Sequence, residues 1–382
     1  MKCIHCGGDT PYRARQFSRR CAHCLHPFAF EPRNPDTPGI TDGLFQKVLR
    51  DLSGNDRLYF TERQLFYEWD RRLVHRAYWR DPWGWVTFLS ITGGIAVAVP
   101  LFFVGPFGVI PLVLGGGGAA YGVWRNQRAR AEQTHAVHLT WDEFQRRYLS
   151  VWVSVHGRPE RLLVPPDRNA APVEAGIAPD VTAYSFDRAL VVQDADMAAM
   201  LVANNFHFEN NCAILSIDGY PFGRLDTVRQ MLRRNPQLKV FALHDASVPG
   251  LRLARQLRGP DWFPDLSVPV YDLGLRPQSA QALRLNVVQQ APCQVPGELR
   301  EFLTPQEADW LERGYMVELA ALRPARLMRA IYRGFAQAGR ADTVEEVGGA
   351  PDVIFWMDAP YVWVDTTDSR RDADVLVTDS FG

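Results

Sequence analysis

The sequence predicts an α/β fold, with a parallel sheet in its second half and a smaller helical part in its first. Three observations carry this. Between Ala189 and Leu257, short apolar runs of strand type alternate with stretches of helical spacing, the order that builds a parallel sheet. Ahead of them, Leu65, Trp69 and Leu73 recur at i, i+4, i+8 behind Thr61, an N-cap residue type, as in an amphipathic helix. Ahead of both stand two Cys-x-x-Cys pairs.

A chain of 382 residues leads us to expect two or three domains. The formal net charge is -1, so no global basic field advertises nucleic acid, and any such binding must come from local patches. Six cysteines are too few and too unevenly placed for a disulfide scaffold. Met1-Lys-Cys-Ile-His-Cys6 has no apolar core of the signal-peptide kind, so no cleavable leader is expected.

From the start, Cys3, Cys6, Cys21 and Cys24 form two knuckles with 14 residues between them. Four thiolates at this spacing close a tetrahedral shell around Zn²⁺, and so short a segment has little else to hold a fold. Residues 1–30 are therefore expected to be a zinc ribbon in a reducing compartment, a redox dithiol pair being the competing reading. His5, His23 and His26 are bystanders on this view, and Cys212 and Cys293 ordinary core residues. The Pro-rich stretch 31–39 reads as a linker. Residues 40–80 hold two helical segments suited to a winged-helix or helix-turn-helix unit, one with Leu44, Val48 and Leu52 on one side and one running from Thr61 to Leu73.

No charged residue occurs from Pro82 to Trp124, where two apolar stretches flank Gly105-Pro106-Phe107-Gly108. Residues 82–124 are read as a two-helix membrane hairpin, anchored by Trp83, Trp85, Tyr121 and Trp124, against the competing reading of a buried Gly-rich hairpin. Arg76 and Arg80 before it and Arg125, Arg128 and Arg130 after it put both termini on the cytoplasmic side of an inner or cytoplasmic membrane. Helical signals resume over 125–157 as a second part of the helical domain, with a capping box at Thr140 and Glu143. Residues 158–180 form a Pro- and Ala-rich linker.

The sheet domain is placed at 181–290. Its strands end in Gln193-Asp194-Ala195-Asp196, in Asp218-Gly219, and in His244-Asp245-Ala246-Ser247, so polar residues gather beyond the carboxyl ends, where parallel sheets bind ligands. Val268 to Leu273 reads as a fourth strand. A C-terminal α/β segment, 291–382, includes a helix start at Thr304-Pro305 and two strand-like runs, Val353–Trp356 and Tyr361–Val364. No nucleotide phosphate loop or nucleophile elbow occurs.

These residues resemble a known family. Ile214-Leu-Ser-Ile-Asp-Gly-Tyr-Pro221 and Ala242-Leu-His-Asp-Ala-Ser-Val-Pro-Gly250 are similar to a Toprim domain, in the version found in the topoisomerase VI A subunit, its meiotic double-strand-break relatives and plasmid-defence nucleases. Thr61-Glu-Arg-Gln-Leu-Phe-Tyr67 resembles the winged-helix segment of the same family, and Glu318-Leu-Ala-Ala-Leu its closing segment. The resemblance implies a Toprim-like domain behind a winged helix, with Mg²⁺ held by a Glu after the first strand and an Asp-x-Asp after the third. Here Gln193 and Ser247 replace two of those carboxylates and Asp245 alone matches. Asp194 and Asp196 are the available stand-ins, and Glu318 is either a further acid for the crevice or a surface helix cap.

Tyr67 matches the position of the nucleophile that attacks DNA phosphate in cleaving members. A phenol needs a metal or base to make that attack. Two functions follow as expectations. One is a catalytically degenerate, membrane-tethered relative that binds DNA or a protein partner, with Arg63, Arg71, Arg72, Arg252, Arg255 and Arg258 available to phosphate. The other is a Mg²⁺-dependent nuclease or DNA-cleaving transesterase using Tyr67 and an Asp194, Asp196, Asp245 metal site. The resemblance also implies a homodimer and a separate ATPase subunit as partners.

Overall fold

The computed structural model describes residues 1–11, 19–79, 136–166, 186–221, 224–235, 238–259, 262–263 and 270–344. The chain divides into two units, Met1–Glu68 with Leu139–Gly382, and Trp69–His138. In the second unit, the amide of His138 donates to Asp70 Oδ1 at 3.1 Å.

The first unit is built on a four-stranded parallel sheet of β1 (Arg188–Val192), β2 (Cys212–Ser216), β3 (Lys239–Leu243) and β4 (Val270–Asp272), in the order β2-β1-β3-β4. Arg188 to Val192 pair in register with Cys212 to Ser216 on one side and Lys239 to Leu243 on the other. Runs such as Ala-Leu-Val-Val and Ala-Ile-Leu are apolar at every position because central parallel strands are covered on both faces. Val191, Leu215, Val228, Leu232, Val240 and Leu253 belong to one buried cluster. The chain runs one way from β1 to β2 and the other way to β3, so the switch point lies between β1 and β3, with Gln193 and Asp245 at its mouth.

Helices start where the sequence supplies caps. The helix Ala195–Ala203 is capped by Asp194, and Val248–Leu257 by Ser247, whose hydroxyl accepts from the Gly250 amide at 3.1 Å. The latter helix thus begins earlier than the apolar pattern from Leu251 indicates. A β-carbon at Gly250 would run into the Asp245 carbonyl and Gln193 Oε1, so only glycine lets this helix approach the strand ends so closely.

Before the sheet come α1 (Asp42–Leu52) and α2 (Glu62–Trp79). Thr61 begins α2 by exchanging hydrogen bonds with Gln64, as expected of its N-cap. A later helical arm runs from Trp141–Phe144, through a π turn at Gln145–Leu149, into Ser150–His156, and its capping box at Thr140 and Glu143 is present. Phe30, Phe45, Tyr148 and Trp152 meet in an aromatic core, Phe45 and Trp152 at 4.7 Å between ring centroids. A single-residue bridge pairs Phe60 with Leu162. Asn204 acts like a strand neighbour to Tyr59, accepting its amide at 2.8 Å and donating to its carbonyl at 2.9 Å.

After the sheet, a hairpin-like pair of short strands (Val288–Gln289 and Tyr315–Met316) frames Pro305–Glu312, which carries a capping box from Thr304 and Glu307. Val317 and Ala246 exchange backbone hydrogen bonds at 2.9 and 3.2 Å, which seats the segment after Met316 against the carboxyl end of β3. The helix Pro324–Val344 follows.

One part of the expected fold is corrected. Among the described residues no helix is long and apolar enough to cross a membrane. The two longest are charged along their length, Glu62–Trp79 by Glu62, Arg63, Glu68, Asp70, Arg71 and Arg72, and Pro324–Val344 by Arg326, Arg329, Arg333 and Arg340. The two-helix membrane hairpin over 82–124, and the location in an inner or cytoplasmic membrane with both termini cytoplasmic that rested on it, are therefore withdrawn from the fold. Residues 82–124, most of the linker 158–180, and the strand-like runs at 353–356 and 361–364 lie outside the described residues. Cys293 is exposed and not a core residue, while Cys212 is buried as expected.

Candidate functional site

Two constellations carry chemistry. The first is the cysteine quartet. In each knuckle the amide after the second cysteine returns to the carbonyl of the first, Gly7 to Cys3 at 2.9 Å and Leu25 to Cys21 at 3.0 Å. These turns aim the thiols inward, and the ligand atoms of Cys3, Cys6, Cys21 and Cys24 lie within 4.8 Å of one another. Across the knuckles, Cys3 and Cys24 Sγ are 3.7 Å apart and Cys6 and Cys21 Sγ 3.6 Å. The Thr10 hydroxyl donates to Cys21 Sγ at 3.5 Å and is the leading cause that lowers this thiol to about 5. The quartet is thus placed to bind one metal ion, and a four-thiolate donor set suits zinc. Among the described residues it is the one group of three or more His, Cys, Asp or Glu side chains gathered tightly enough to share an ion. Asp194, Asp196 and Asp245 do not form another.

The second constellation is the crevice at the switch point. Asp245 follows β3, its amide donating to Gln193 Oε1 at 2.9 Å and its Oδ1 accepting from the Leu319 amide at 2.6 Å. Burial raises its carboxyl to about 7 against the pull of the Leu319 hydrogen bond, and the carboxylates of Glu318 and Asp194 add to the rise. Glu318 precedes the 3-10 turn Leu319–Ala321, but its side chain makes no capping hydrogen bond and is largely buried, so it is an acid of the crevice and not the surface helix cap its sequence also allowed. Burial lifts its carboxyl above the ordinary range despite Arg63, whose Nη2 stands 3.5 Å from Glu318 Oε1. Asp194 remains a helix cap, accepting the Asp196 amide at 3.3 Å.

Tyr67 lies one helical turn beyond Arg63 on α2 and so joins the same cluster. Its ring is 1% exposed, and its hydroxyl is buried with no hydrogen-bond partner of ordinary geometry. Burial, then the Glu318 carboxylate, push its ionisation upward, Arg63 opposing. The structure therefore brings Tyr67, Asp245, Asp194 and Glu318 together in one chain.

Beneath them, His244 is fully buried between two acceptors, the Asp245 carbonyl at Nδ1 (2.8 Å) and Asp272 Oδ1 at Nε2 (3.0 Å). A ring with an acceptor at each nitrogen is satisfied as imidazolium. Burial alone would lower its ionisation, but Asp272 reverses this and holds it above the ordinary value. Asp272 is in turn held below the usual carboxylate range by His244, against its own burial. The sequence marks this pair only as polar residues at two strand ends, and parallel pairing of β3 with β4 is what joins them.

Comparison with family models, curated proteins and solved structures returns no match to this chain.

Proposed function

We propose that this chain is a non-cleaving relative of the topoisomerase VI A subunit that binds duplex DNA, with zinc in its cysteine quartet. The observation that carries the non-cleaving part is the state of Tyr67. A phenol 1% exposed, displaced upward in ionisation and facing carboxylates, is neither reachable by a phosphodiester nor ready to attack one. What supports DNA binding is narrower. Arg252, Arg255 and Arg258 recur at i, i+3, i+6 and are exposed along Val248–Leu257 and its C-cap, the helix that starts at the crevice and leads away from it, although Arg255 stands 3.6 Å from Glu298 and Arg258 donates to the Val270 carbonyl.

The test is duplex binding by the full chain at several salt concentrations. Affinity that falls steeply with salt, and weakens on Arg252→Ala and Arg255→Ala, supports this reading; no binding at low salt removes it and leaves a protein partner. A nicking assay with Mg²⁺ or Mn²⁺ should show no cleavage by the wild type.

A second reading, metal-dependent strand cleavage, draws on one observation, that the carboxylates of Glu318 and Asp245 both act on the Tyr67 hydroxyl, although among the described residues no three acids of the crevice are gathered tightly enough to share an ion. Metal-dependent nicking that is lost in both Tyr67→Phe and Asp245→Ala would establish it in place of the first.

A further inference from the structure

The cysteine quartet is joined to the helical part of the protein by a chain of side chains that neither function uses. His26, two residues after Cys24, stands 3.1 Å by its Nε2 from His156 Nδ1, and His156 Nε2 is 2.7 Å from Asp42 Oδ2. A carboxylate accepts, so His156 Nε2–H donates to Asp42; in the neutral chain His26 Nε2–H then donates to His156 Nδ1. The rings are stacked as well as bonded, His5 on His26 at 5.1 Å and His26 on His156 at 5.2 Å. Asp42 is fully buried at the start of α1, and its two oxygens also accept the amides of Ala29 (3.0 Å) and Phe30 (2.8 Å). These amides belong to the irregular segment that leaves the second knuckle. Phe30, 2% exposed, is the residue that this segment inserts among Phe45, Tyr148 and Trp152.

The knuckle and the aromatic core are thus two ends of one short segment, Cys24 to Phe30, clamped along its length by Asp42 and His156. The metal-free ribbon has few apolar residues of its own, Cys3, Cys21 and Phe28 being its small buried cluster. Its fold depends on the ion. Whatever fixes the ribbon also fixes His26 and Phe30, and whatever fixes those two favours the ribbon.

We propose that Asp42 and His156, neither of which is a ligand, set the metal affinity of the cysteine quartet, and that metal occupancy in turn orders the aromatic core of α1 and Ser150–His156. Coupling of this kind is reciprocal: a contact that metal strengthens must strengthen metal binding by the same factor. Groups hydrogen-bonded directly to a ligand contribute about 10- to 100-fold in affinity, and Asp42 and His156 stand one step further out, through His26 and the Ala29 and Phe30 amides, so the lower end of that range applies. The proposal rests on the quartet holding metal, and its test separates the two.

The experiment uses the full chain, with Zn²⁺ content measured after purification and affinity measured by competition with a chromophoric chelator. Asp42→Asn and His156→Phe are each expected to bind Zn²⁺ about ten-fold more weakly. Hydrogen exchange on the wild type, before and after chelation, supplies a reading that needs no variant. Amides of Asp42–Leu52 and Ser150–His156 should lose protection on chelation while those of Arg188–Val192 keep it. Zn²⁺ bound by both variants within two-fold of wild type, or protection of the two helices unchanged by chelation, overturns the coupling alone. A wild type that binds no Zn²⁺ overturns the metal reading beneath it.

Discussion

Arg323 grips Glu68 with two prongs, Nε to Oε2 at 3.0 Å and Nη2 to Oε1 at 2.8 Å, although 255 residues separate them. Glu68 is 1% exposed and Arg323 about a third, so the pair is half sunk into the protein. One turn earlier on the same helix, Gln64 Nε2 donates to the Leu322 carbonyl at 3.0 Å. Together they lock α2 to the start of Pro324–Val344. Arg323→Ala removes both charge-assisted bonds from a buried carboxylate and is expected to cost roughly 2–4 kcal/mol, read as a lower urea midpoint at unchanged slope. Arg323→Lys should recover only part of this, because an ammonium cannot reproduce the two-pronged fork.

Tyr67→Phe is expected to leave stability equal or to raise it by about 1 kcal/mol, since it deletes a buried hydroxyl that meets Glu318 without a hydrogen bond of ordinary geometry. Chemical denaturation measures this directly. A marked loss of stability would show that the hydroxyl has a partner in solution.

Asp245 gives the crevice a pH dependence whose sign can be worked out. Its carboxyl rises from 3.8 to about 7 on folding, so the folded state favours the protonated form, and stability falls as pH rises between these values. His244 acts in the same direction: its raised value makes its contribution present below about 6.5 and lost as pH climbs through the raised value. Asp272, held low, contributes above its ordinary value and loses that only in stronger acid. Urea midpoints of the wild type should therefore decline from pH 5 to pH 8. Asp245→Asn, which keeps an acceptor for the Leu319 amide, should flatten the acidic part of that decline and be the more stable protein at pH 8. A tenfold difference in proton affinity between the folded and unfolded chain corresponds to about 1.4 kcal/mol, which makes the gain of the order of 2–4 kcal/mol.

Leu25 occupies a left-handed backbone conformation, φ 60°, at the place where the first knuckle has Gly7 at φ 71°. It is also 66% exposed, so its side chain gains little from packing. Left-handed backbone costs a branched residue about 1–2 kcal/mol, partly offset by the extra freedom glycine has when unfolded. Leu25→Gly should raise the thermal midpoint of the zinc-loaded protein by a few degrees. An unchanged or lower midpoint would point to a contact made by the leucine that compensates its strain.

What was legible in the sequence was whatever depends on neighbours along the chain. The Cys-x-x-Cys spacing foretold the gathered thiols; the apolar runs foretold all four parallel strands, the fourth within Val268 to Leu273; Thr61, Thr140 and Thr304 announced helix starts because a cap acts within one turn. What stayed hidden was every contact made across distance. His26 looks like a bystander until His156 arrives 130 residues later. Glu68 reads as one more helix charge, and Glu318 left two readings open until the Val317–Ala246 pairing seated it by Asp245. Such contacts have no period to read. The apolar stretch 82–124 erred differently: composition alone cannot say whether lipid or protein covers an apolar segment.

The π turn at Gln145–Leu149 has its own consequence. A π turn is an α-helix holding one residue more than its hydrogen-bond ladder requires. Removing a single residue there would restore regular winding, and because the wider i→i+5 turn already absorbs the surplus residue, the helix downstream would keep nearly its present facing. Trp152 and His156 would then stay against Phe45 and Asp42. The surplus residue is thus spent within its own turn: a one-codon deletion inside Gln145–Leu149 should heal the helix and leave the knuckle segment seated, whereas the same deletion inside Ser150–His156 should unseat it.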